Sequence, residues 1–169
     1  MDIDDLKNKK VGYVGVGGFL FESDEPGNKP TLVIFNQWRS GAASLFSKYL
    51  ALFTFELDVY GRVLFIDRIG SGGQSRNKLT KLEEEVMLTR GDNQFADEYC
   101  LAIKNILKAS NIFSPTVLGG SSAGSAAAIA TALASSRNKL QIKRVIVVEP
   151  SGLMPHGLTK NGYLSVPHA

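Results

Sequence analysis

The chain has 169 residues, of which 44% are apolar and 9% aromatic, which is enough for the core of one domain and excludes an intrinsically disordered protein. The 19 basic and 16 acidic residues are interspersed and leave a net charge of +3, with no basic stripe of the kind that binds nucleic acid. The single cysteine, Cys100, excludes an internal disulfide and a multi-cysteine zinc site. The acidic amino-terminus and the absence of a long apolar run predict a cytoplasmic protein without a signal peptide or membrane span.

Short apolar runs alternate with helical patterns along the chain. In chain order, strands are predicted at 11–16, 18–21, Thr31–Phe35, 63–67, 115–118 and 145–148, and helices at 41–55, 77–90, 95–108 and 123–134. Because most of these strands are apolar on both faces, we expect an α/β fold with a mostly parallel sheet and helices on both faces. The whole chain, 1–169, is expected to be a single domain, with an irregular tail at 150–169.

Three local details accompany these predictions. The first two strands are expected to be joined through Gly17 and Gly18. Thr80 and Glu83 have the spacing of a capping box, which predicts the start of the second helix. Asp92 is the expected amino-terminal cap of the third helix.

The first helix is predicted from apolar residues near helical spacing, among them Leu45, Tyr49 and Phe53. Cys100 is expected to be a packed or partly exposed residue of the helix at 95–108. The Gly/Ser-rich loop at 70–75 approximates a dinucleotide fingerprint, but no helix opens directly after it, so a phosphate site is not expected.

The sequence G-S-S-A-G at residues 120–124 matches the pattern G-x-S-x-G. It lies between a predicted strand and a predicted helix, which is the strand–turn–helix setting that a nucleophile elbow requires. In such a turn the flanking Gly120 and Gly124 leave room for the neighbouring backbone, and the Ser122 hydroxyl stands above the carboxyl edge of the sheet. The N–H of Ala123, at the start of the helix, would point at a developing oxyanion. The alternative is an ordinary Gly/Ser turn into an alanine-rich helix.

Four further segments accompany this motif in a fixed order: T-L-V-I-F-N-Q-W at 31–38, V-L-F-I-D-R-I-G-S-G-G-Q-S at 63–75, a helix at 92–106 and V-I-V-V-E-P-S at 145–151. With the motif, they make the chain from about residue 11 to residue 152 resemble the N-terminal part of an α/β-hydrolase fold protein. In that comparison, 31–38 is similar to the strand that enters the family's His-Gly oxyanion loop, and 63–75 to its D-x-x-G-x-G-x-S segment. Asn36 and Gln37 stand where the family has His-Gly, and Ser125 replaces a second glycine after the elbow.

The resemblance implies that Ser122 is the nucleophile, with the N–H groups of Ala123 and Trp38 as oxyanion donors. A serine at the elbow argues against haloalkane dehalogenase or epoxide hydrolase chemistry, which in this fold uses an aspartate there. The family's chain order is serine, acid, histidine. Glu149 is the one acidic residue after Ser122 and is the candidate acid. Its other interpretation is a loop carboxylate that meets Arg144 or solvent.

The histidines of the chain are His156 and His168. His156 is the candidate base, because seven residues can span about 23–25 Å from Glu149. His168 is the weaker candidate, and both have an alternative interpretation as exposed residues of the tail. The family's later strands have no counterpart after 145–148, so the domain is expected to be incomplete and to present that strand as an apolar edge open to self-association or a partner.

The resulting expectation is a serine hydrolase that cleaves an ester, thioester or related acyl bond of a small-molecule substrate, without a metal or organic cofactor. An acyltransferase is a close variant, because an alcohol or thiol can intercept the same acyl-enzyme. The alternatives are a non-catalytic α/β-hydrolase-like protein used for binding or assembly, and a truncated fragment of a longer hydrolase or acyltransferase.

Overall fold

The computed structural model describes residues 3–36, 44–71 and 73–150. Those ranges contain six strands and four α-helices, and a short 3-10 helix at Gly91–Phe95 directly precedes the third α-helix. The strands are β1 (Asn8–Tyr13), β2 (Val16–Glu22), β3 (Thr31–Phe35), β4 (Arg62–Ile66), β5 (Thr116–Ser122) and β6 (Ile142–Pro150). The helices are α1 (Leu45–Glu56), α2 (Lys81–Arg90), α3 (Ala96–Ala109) and α4 (Ala123–Ser135).

The six strands form one sheet in the order β1-β2-β4-β3-β5-β6. β4, β3, β5 and β6 are mutually parallel, while the β1–β2 hairpin is antiparallel and is joined antiparallel to β4. β4, the next strand in the chain after β3, lies on one side of the neighbouring pair β3 and β5, and β6, the next strand after β5, lies on the other side. The topological switch point therefore lies at the carboxyl ends of β3 and β5, where open α/β sheets bind their ligands.

Two hydrophobic clusters cover the two faces of the sheet. Along β4 the side chains alternate: Val63 and Phe65 belong to the cluster that contains Ala51 of α1, and Leu64 and Ile66 belong to the other. That second cluster contains the buried faces of α3 and α4. The predicted class, a mostly parallel sheet with helices on both faces, is therefore confirmed, as is the capping box of α2, formed by Thr80 and Glu83.

The hairpin turns at a different place from the one predicted. Tyr13 pairs with Val16, and the turn residues Val14 and Gly15 both have positive φ, +39° and +79°. Gly17 and Gly18 lie inside β2 instead. A Cβ on Gly18 would overlap the backbone carbonyl of Phe65 in β4, so this glycine allows close strand packing rather than a turn.

Helix α1 also buries a different face from the predicted one. Leu45, Tyr49 and Phe53 are exposed, whereas Ser47 and Ala51 are buried. Small residues allow the helix to lie close to the sheet, so periodicity identified the helix but not the face that packs.

Strand β6 lies at one end of the sheet and, within the described residues, pairs only with β5. Its residues Val145, Ile146, Val147 and Val148 are 37–54% exposed, so the described part of the chain does end in an apolar edge strand. Self-association through this edge stays a prediction. Across the described ranges, no helix combines the length and apolar character needed to cross a bilayer.

Candidate active site

Ser122 lies at the junction of β5 and α4 and has an unusual backbone conformation. It is the last residue of β5 and the N-cap of α4, with φ +52° and ψ −126°. Residues other than glycine rarely adopt this combination of φ and ψ. The conformation costs about 1–3 kcal/mol and persists only when the surrounding structure holds it. Such strain at the turn from a strand into a helix is the defining geometry of a nucleophile elbow.

The two glycines of the motif are required by close backbone contacts. A Cβ on Gly120 would overlap the backbone of Gly124 and Ser125, and a Cβ on Gly124 would overlap the carbonyl of Phe35 in β3. The first turn of α4 is therefore pressed against the carboxyl ends of β5 and β3. This confirms the physical reason for small residues on both sides of Ser122.

Ala123 is the first residue of α4. Its N–H is one of the first-turn donors that have no acceptor within the helix, and it lies at the positive end of the helix dipole. An anionic oxygen that develops beside Ser122 would be stabilised by this end of the helix.

Ser125, which stands where the predicted resemblance would place a second glycine, forms part of the elbow's support. Its side chain is fully buried, and its hydroxyl donates to the carbonyl of Gly120 at 3.0 Å, with the carbonyl of Val148 at 3.4 Å. The substitution thus adds a polar link between the ends of β5 and β6 and does not disturb the turn.

Asn36, which stands where the predicted resemblance would place a histidine, directly follows β3 on the other side of the switch point. Its N–H donates to the carbonyl of Ile66 at 3.0 Å, and its Nδ2 donates to Oδ1 of Asp67 at 2.9 Å. Both side chains are buried. The start of the predicted oxyanion loop is therefore tied to β4 and to the residue that follows it. The rest of the predicted donor site, Gln37 and Trp38, lies outside the described residues.

Asp67 also organises the Gly/Ser-rich loop that follows β4. Its Oδ2 accepts the N–H of Gln74 at 2.6 Å, and its carbonyl accepts the hydroxyl of Ser75. A Cβ on Gly73 would overlap the Asp67 carboxylate. The Asp67 carboxylate thus lies directly beside Gly73, which explains the glycine at this position.

A second buried network lies beneath this loop, and sequence reasoning missed it. Nε and Nη2 of Arg68 donate to the Asp92 carboxylate, the shortest contact being 2.7 Å. The Tyr99 hydroxyl donates to Asp92 at 3.2 Å and accepts the N–H of Ile69 at 3.0 Å. Burial, and then the neighbouring Asp92 carboxylate, raise the pKa of the Tyr99 phenol well above its usual value, which keeps this donor protonated.

The predicted cap role of Asp92 is therefore wrong. Asp92 lies inside the 3-10 helix, and the N-cap position of α3 is Phe95, which forms no side-chain cap bond. The Asp92 carboxylate instead accepts from Arg68 and Tyr99. Cys100 is packed, with its Sγ 3.2 Å from the carbonyl of Thr131. Burial raises its pKa to about 11, so it is a protonated structural thiol and a poor nucleophile.

Of the predicted acid and base, the structure describes only the backbone of Glu149. The backbone of Glu149 belongs to β6, where Ser121 pairs with Val148 and Ser122 pairs with Pro150 across a register shift. The Glu149 side chain lies outside what the structure describes. His156 and His168 lie outside the described residues altogether.

No protein-family model and no curated protein matches the chain. Similar solved structures include a predicted CIB-like hydrolase from Thermoplasma acidophilum, with 20% identity over 86% of this chain and 63% of that one and a TM-score of 0.56. ESTFA, solved in its iron-lacking apo form, has 16% identity over 95% of this chain and 50% of that one, with a TM-score of 0.61.

A third similar structure is a cold-adapted esterase from an Arctic intertidal metagenomic library, with 13% identity over 84% of this chain and 60% of that one and a TM-score of 0.58. The chain spans 50–63% of the length of these three structures. Strand order, the elbow at Ser122 and these similarities agree with the predicted resemblance. The chain has the α/β-hydrolase fold.

Proposed function

We propose that the protein is a serine hydrolase that cleaves an ester, thioester or related acyl bond of a small molecule through an acyl-enzyme on Ser122. The observation that carries the proposal is the strained conformation of Ser122, φ +52° and ψ −126°, at the carboxyl end of β5. Strain of this kind is retained where a side chain must project from a sharp turn. The solved structures with the same fold include an esterase and a predicted hydrolase, which supports the reaction class.

In the proposed reaction, the Ser122 oxygen attacks the substrate carbonyl as a base takes its proton. The N–H groups of Ala123 and Trp38 stabilise the resulting oxyanion. When the tetrahedral intermediate collapses, the bond to the leaving group breaks, and that group takes the proton from the base. Water then attacks the acyl-enzyme by the same route, releasing a carboxylic acid and restoring Ser122.

Glu149 is the proposed acid and His156 the proposed base, with His168 as the other candidate base. Support for Glu149 comes from the strand register, because its neighbours Val148 and Pro150 pair with Ser121 and Ser122. A carboxylate at this strand end would orient an imidazole delivered by the following segment.

Hydrolysis of p-nitrophenyl acetate and of an acetyl thioester by the full chain tests this function. We expect Ser122→Ala to lower kcat/KM by more than about 1,000-fold, because the nucleophile is removed. The neighbouring Ser121→Ala is the matched control and should retain most of the activity. Equal activity in the wild type and Ser122→Ala would contradict the proposal.

Two further arms separate the remaining alternatives. His156→Ala should abolish turnover and His168→Ala should not if His156 is the base, and the reverse result would reassign the role. Addition of an alcohol or thiol acceptor distinguishes an acyltransferase, which would form the transfer product faster than the free acid. A non-catalytic protein would show no Ser122-dependent release in any arm.

A further inference from the structure

A groove of about 590 Å³ lies at the amino-terminal ends of β5 and β6, whereas Ser122 lies at the carboxyl end of β5. Its lining includes the first residues of β5 and β6, Thr116 and Ile142, whereas Ser122 is the last residue of β5. The length of β5 separates its first residue from Ser122 by about 20 Å. The groove is therefore a separate site from the candidate active site.

The wall of the groove is mainly apolar. Leu107 at the end of α3, Ile112, and Leu140 before β6 belong to the core and line its inner side. Phe113 also lines it but is 85% exposed, so nearly the whole ring is available for contact. Concave surfaces lined mainly by apolar and aromatic side chains are typical of ligand sites.

Lysines surround this apolar wall. The lining includes Lys104, Lys108, Lys139 and Lys143, all exposed, and no aspartate or glutamate among the described residues. None of these ammonium groups forms an ion pair with a carboxylate in the described part of the chain. The lysines carry more positive charge than the net +3 of the entire chain. Clustered like charges repel one another and attract an anion to the site.

We propose that the groove binds a small amphiphile with an apolar chain and one anionic head group, such as a fatty-acid anion. The chain would lie against Phe113 and the apolar wall, and the carboxylate would be held among the lysine ammonium groups. A neutral amphiphile would leave the cations without a partner, and an inorganic anion would leave the apolar wall in water. The combination of both features is what selects an anionic amphiphile.

Calorimetric titration of the full chain with decanoate tests the proposal, with 1-octanol and octanoate as a matched neutral and anionic pair. We expect saturable 1:1 binding of decanoate that weakens as salt is raised, and binding of octanoate in clear preference to 1-octanol. Removal of groove lysines should weaken decanoate binding and leave Ser122-dependent hydrolysis unchanged, which separates this site from any acyl pocket at the elbow. Equal affinity for octanoate and 1-octanol would overturn the proposal.

Substitutions locate the site. The double variant Lys104→Glu with Lys139→Glu should bind decanoate about tenfold more weakly or worse, while the control Lys9→Glu with Lys81→Glu, which removes two exposed lysines elsewhere, should stay within about twofold. Phe113→Ala should also weaken binding, and Leu133→Ala, another exposed apolar residue, should not. Urea unfolding of each variant checks that the fold is retained.

Lys139 offers a variant that removes a charge without harming the fold. Its φ is +53°, a region that glycine adopts readily, so Lys139→Gly should be at least as stable as the wild type and still bind decanoate more weakly. Wild-type affinity in both Lys139→Gly and the double variant would overturn the proposal. So would lysine-dependent binding to phosphatidylglycerol vesicles without binding of monomeric decanoate, which would identify a membrane surface as the partner instead.

Discussion

The candidate nucleophile combines a reactive group with an unfavourable backbone conformation at the same residue. Ser122 adopts φ +52° and ψ −126° because β5 must turn directly into α4 while Gly120 and Gly124 lie against neighbouring backbone. The strain opposes folding, and its benefit is the position of the hydroxyl beside the start of a helix.

We predict that glycine at position 122 stabilises the protein. Ser122→Gly should raise the free energy of unfolding by about 1–2 kcal/mol, since glycine reaches this conformation without a Cβ clash. Ser122→Ala keeps the Cβ and therefore the strain, so it should be less stable than Ser122→Gly by about 1–2 kcal/mol. Urea unfolding of the three proteins makes the comparison. A Ser122→Gly protein that is less stable than Ser122→Ala would show that the turn is not strained.

Asn36 and Asp67 are predicted to act as one unit. Asn36→Asp would bring two buried carboxylates together and should lower the free energy of unfolding by about 3 kcal/mol. Asp67→Asn should also destabilise, because the new amide faces both the Asn36 amide and the N–H of Gln74. The double exchange restores complementarity, since the amide introduced at position 67 could donate to the carboxylate introduced at position 36 and accept from Gln74.

The double variant should therefore recover at least about 1.5 kcal/mol relative to the sum of the single changes in urea unfolding. Trp38, the single tryptophan of the chain, follows Asn36 by two positions in the sequence and gives a second readout. Its fluorescence emission should shift in the single variants and return toward the wild-type spectrum in the double variant. Strictly additive single effects would contradict the coupling.

At the scale of elements, the elbow depends on how closely α4 approaches β3. Gly124 lies in the first turn of the helix, and a Cβ there would overlap the carbonyl of Phe35. This contact joins the backbone of α4 to the backbone of β3, and neither can adjust as a flexible side chain does. The helix would therefore have to move away from the sheet. The position of Ser122 would change with it.

Gly124→Ala should accordingly lower the free energy of unfolding by about 2–3 kcal/mol and reduce any Ser122-dependent reaction. Gly119→Ala is a matched control in β5, because its Cβ would meet Leu32 and Ile34 at ordinary contact distances of 3.4 and 3.5 Å. That variant should lose less than about 1 kcal/mol. Equal losses in the two variants, measured by urea unfolding, would contradict the importance of the α4–β3 approach.

At the scale of the whole molecule, the described part of the sheet ends at the lysine-containing strand β1 on one side and at the apolar strand β6 on the other. Apolar parallel edges tend to pair with other chains. We predict concentration-dependent self-association of the 169-residue chain in sedimentation velocity. Val147→Lys should shift the distribution toward the monomer, and Leu133→Lys, an exposed apolar position on α4, should not. A monodisperse monomer at all concentrations would contradict this prediction.

Much of this architecture could be predicted from the sequence because it depends on local signals. Thr31–Phe35 is a continuous apolar strand, and the Thr80–Glu83 capping box starts a helix through bonds between near neighbours. The elbow was predictable for the same reason, since G-x-S-x-G between a strand and a helix has one demanding geometry.

What the sequence could not predict depends on partners distant in the chain. Aspartate is a residue type that often caps helices, but the actual partner of Asp92 is Arg68, which lies 24 residues away in the sequence. Gly17 and Gly18 suggested a turn, but glycine is needed at these positions because the backbone of Gln74 and of Phe65 approaches β2 closely. Local spacing carries no information on such approaches.

Covalent labelling with a fluorophosphonate, followed by intact mass and peptide mapping, tests most directly whether Ser122 is an activated nucleophile. The reagent needs one attack by a serine oxygen and no turnover, so it does not depend on knowing the substrate. The wild-type chain is predicted to gain a single adduct on Ser122, and Ser122→Ala to gain none under the same conditions. An unlabelled wild type, or equal labelling of both proteins, would contradict the account.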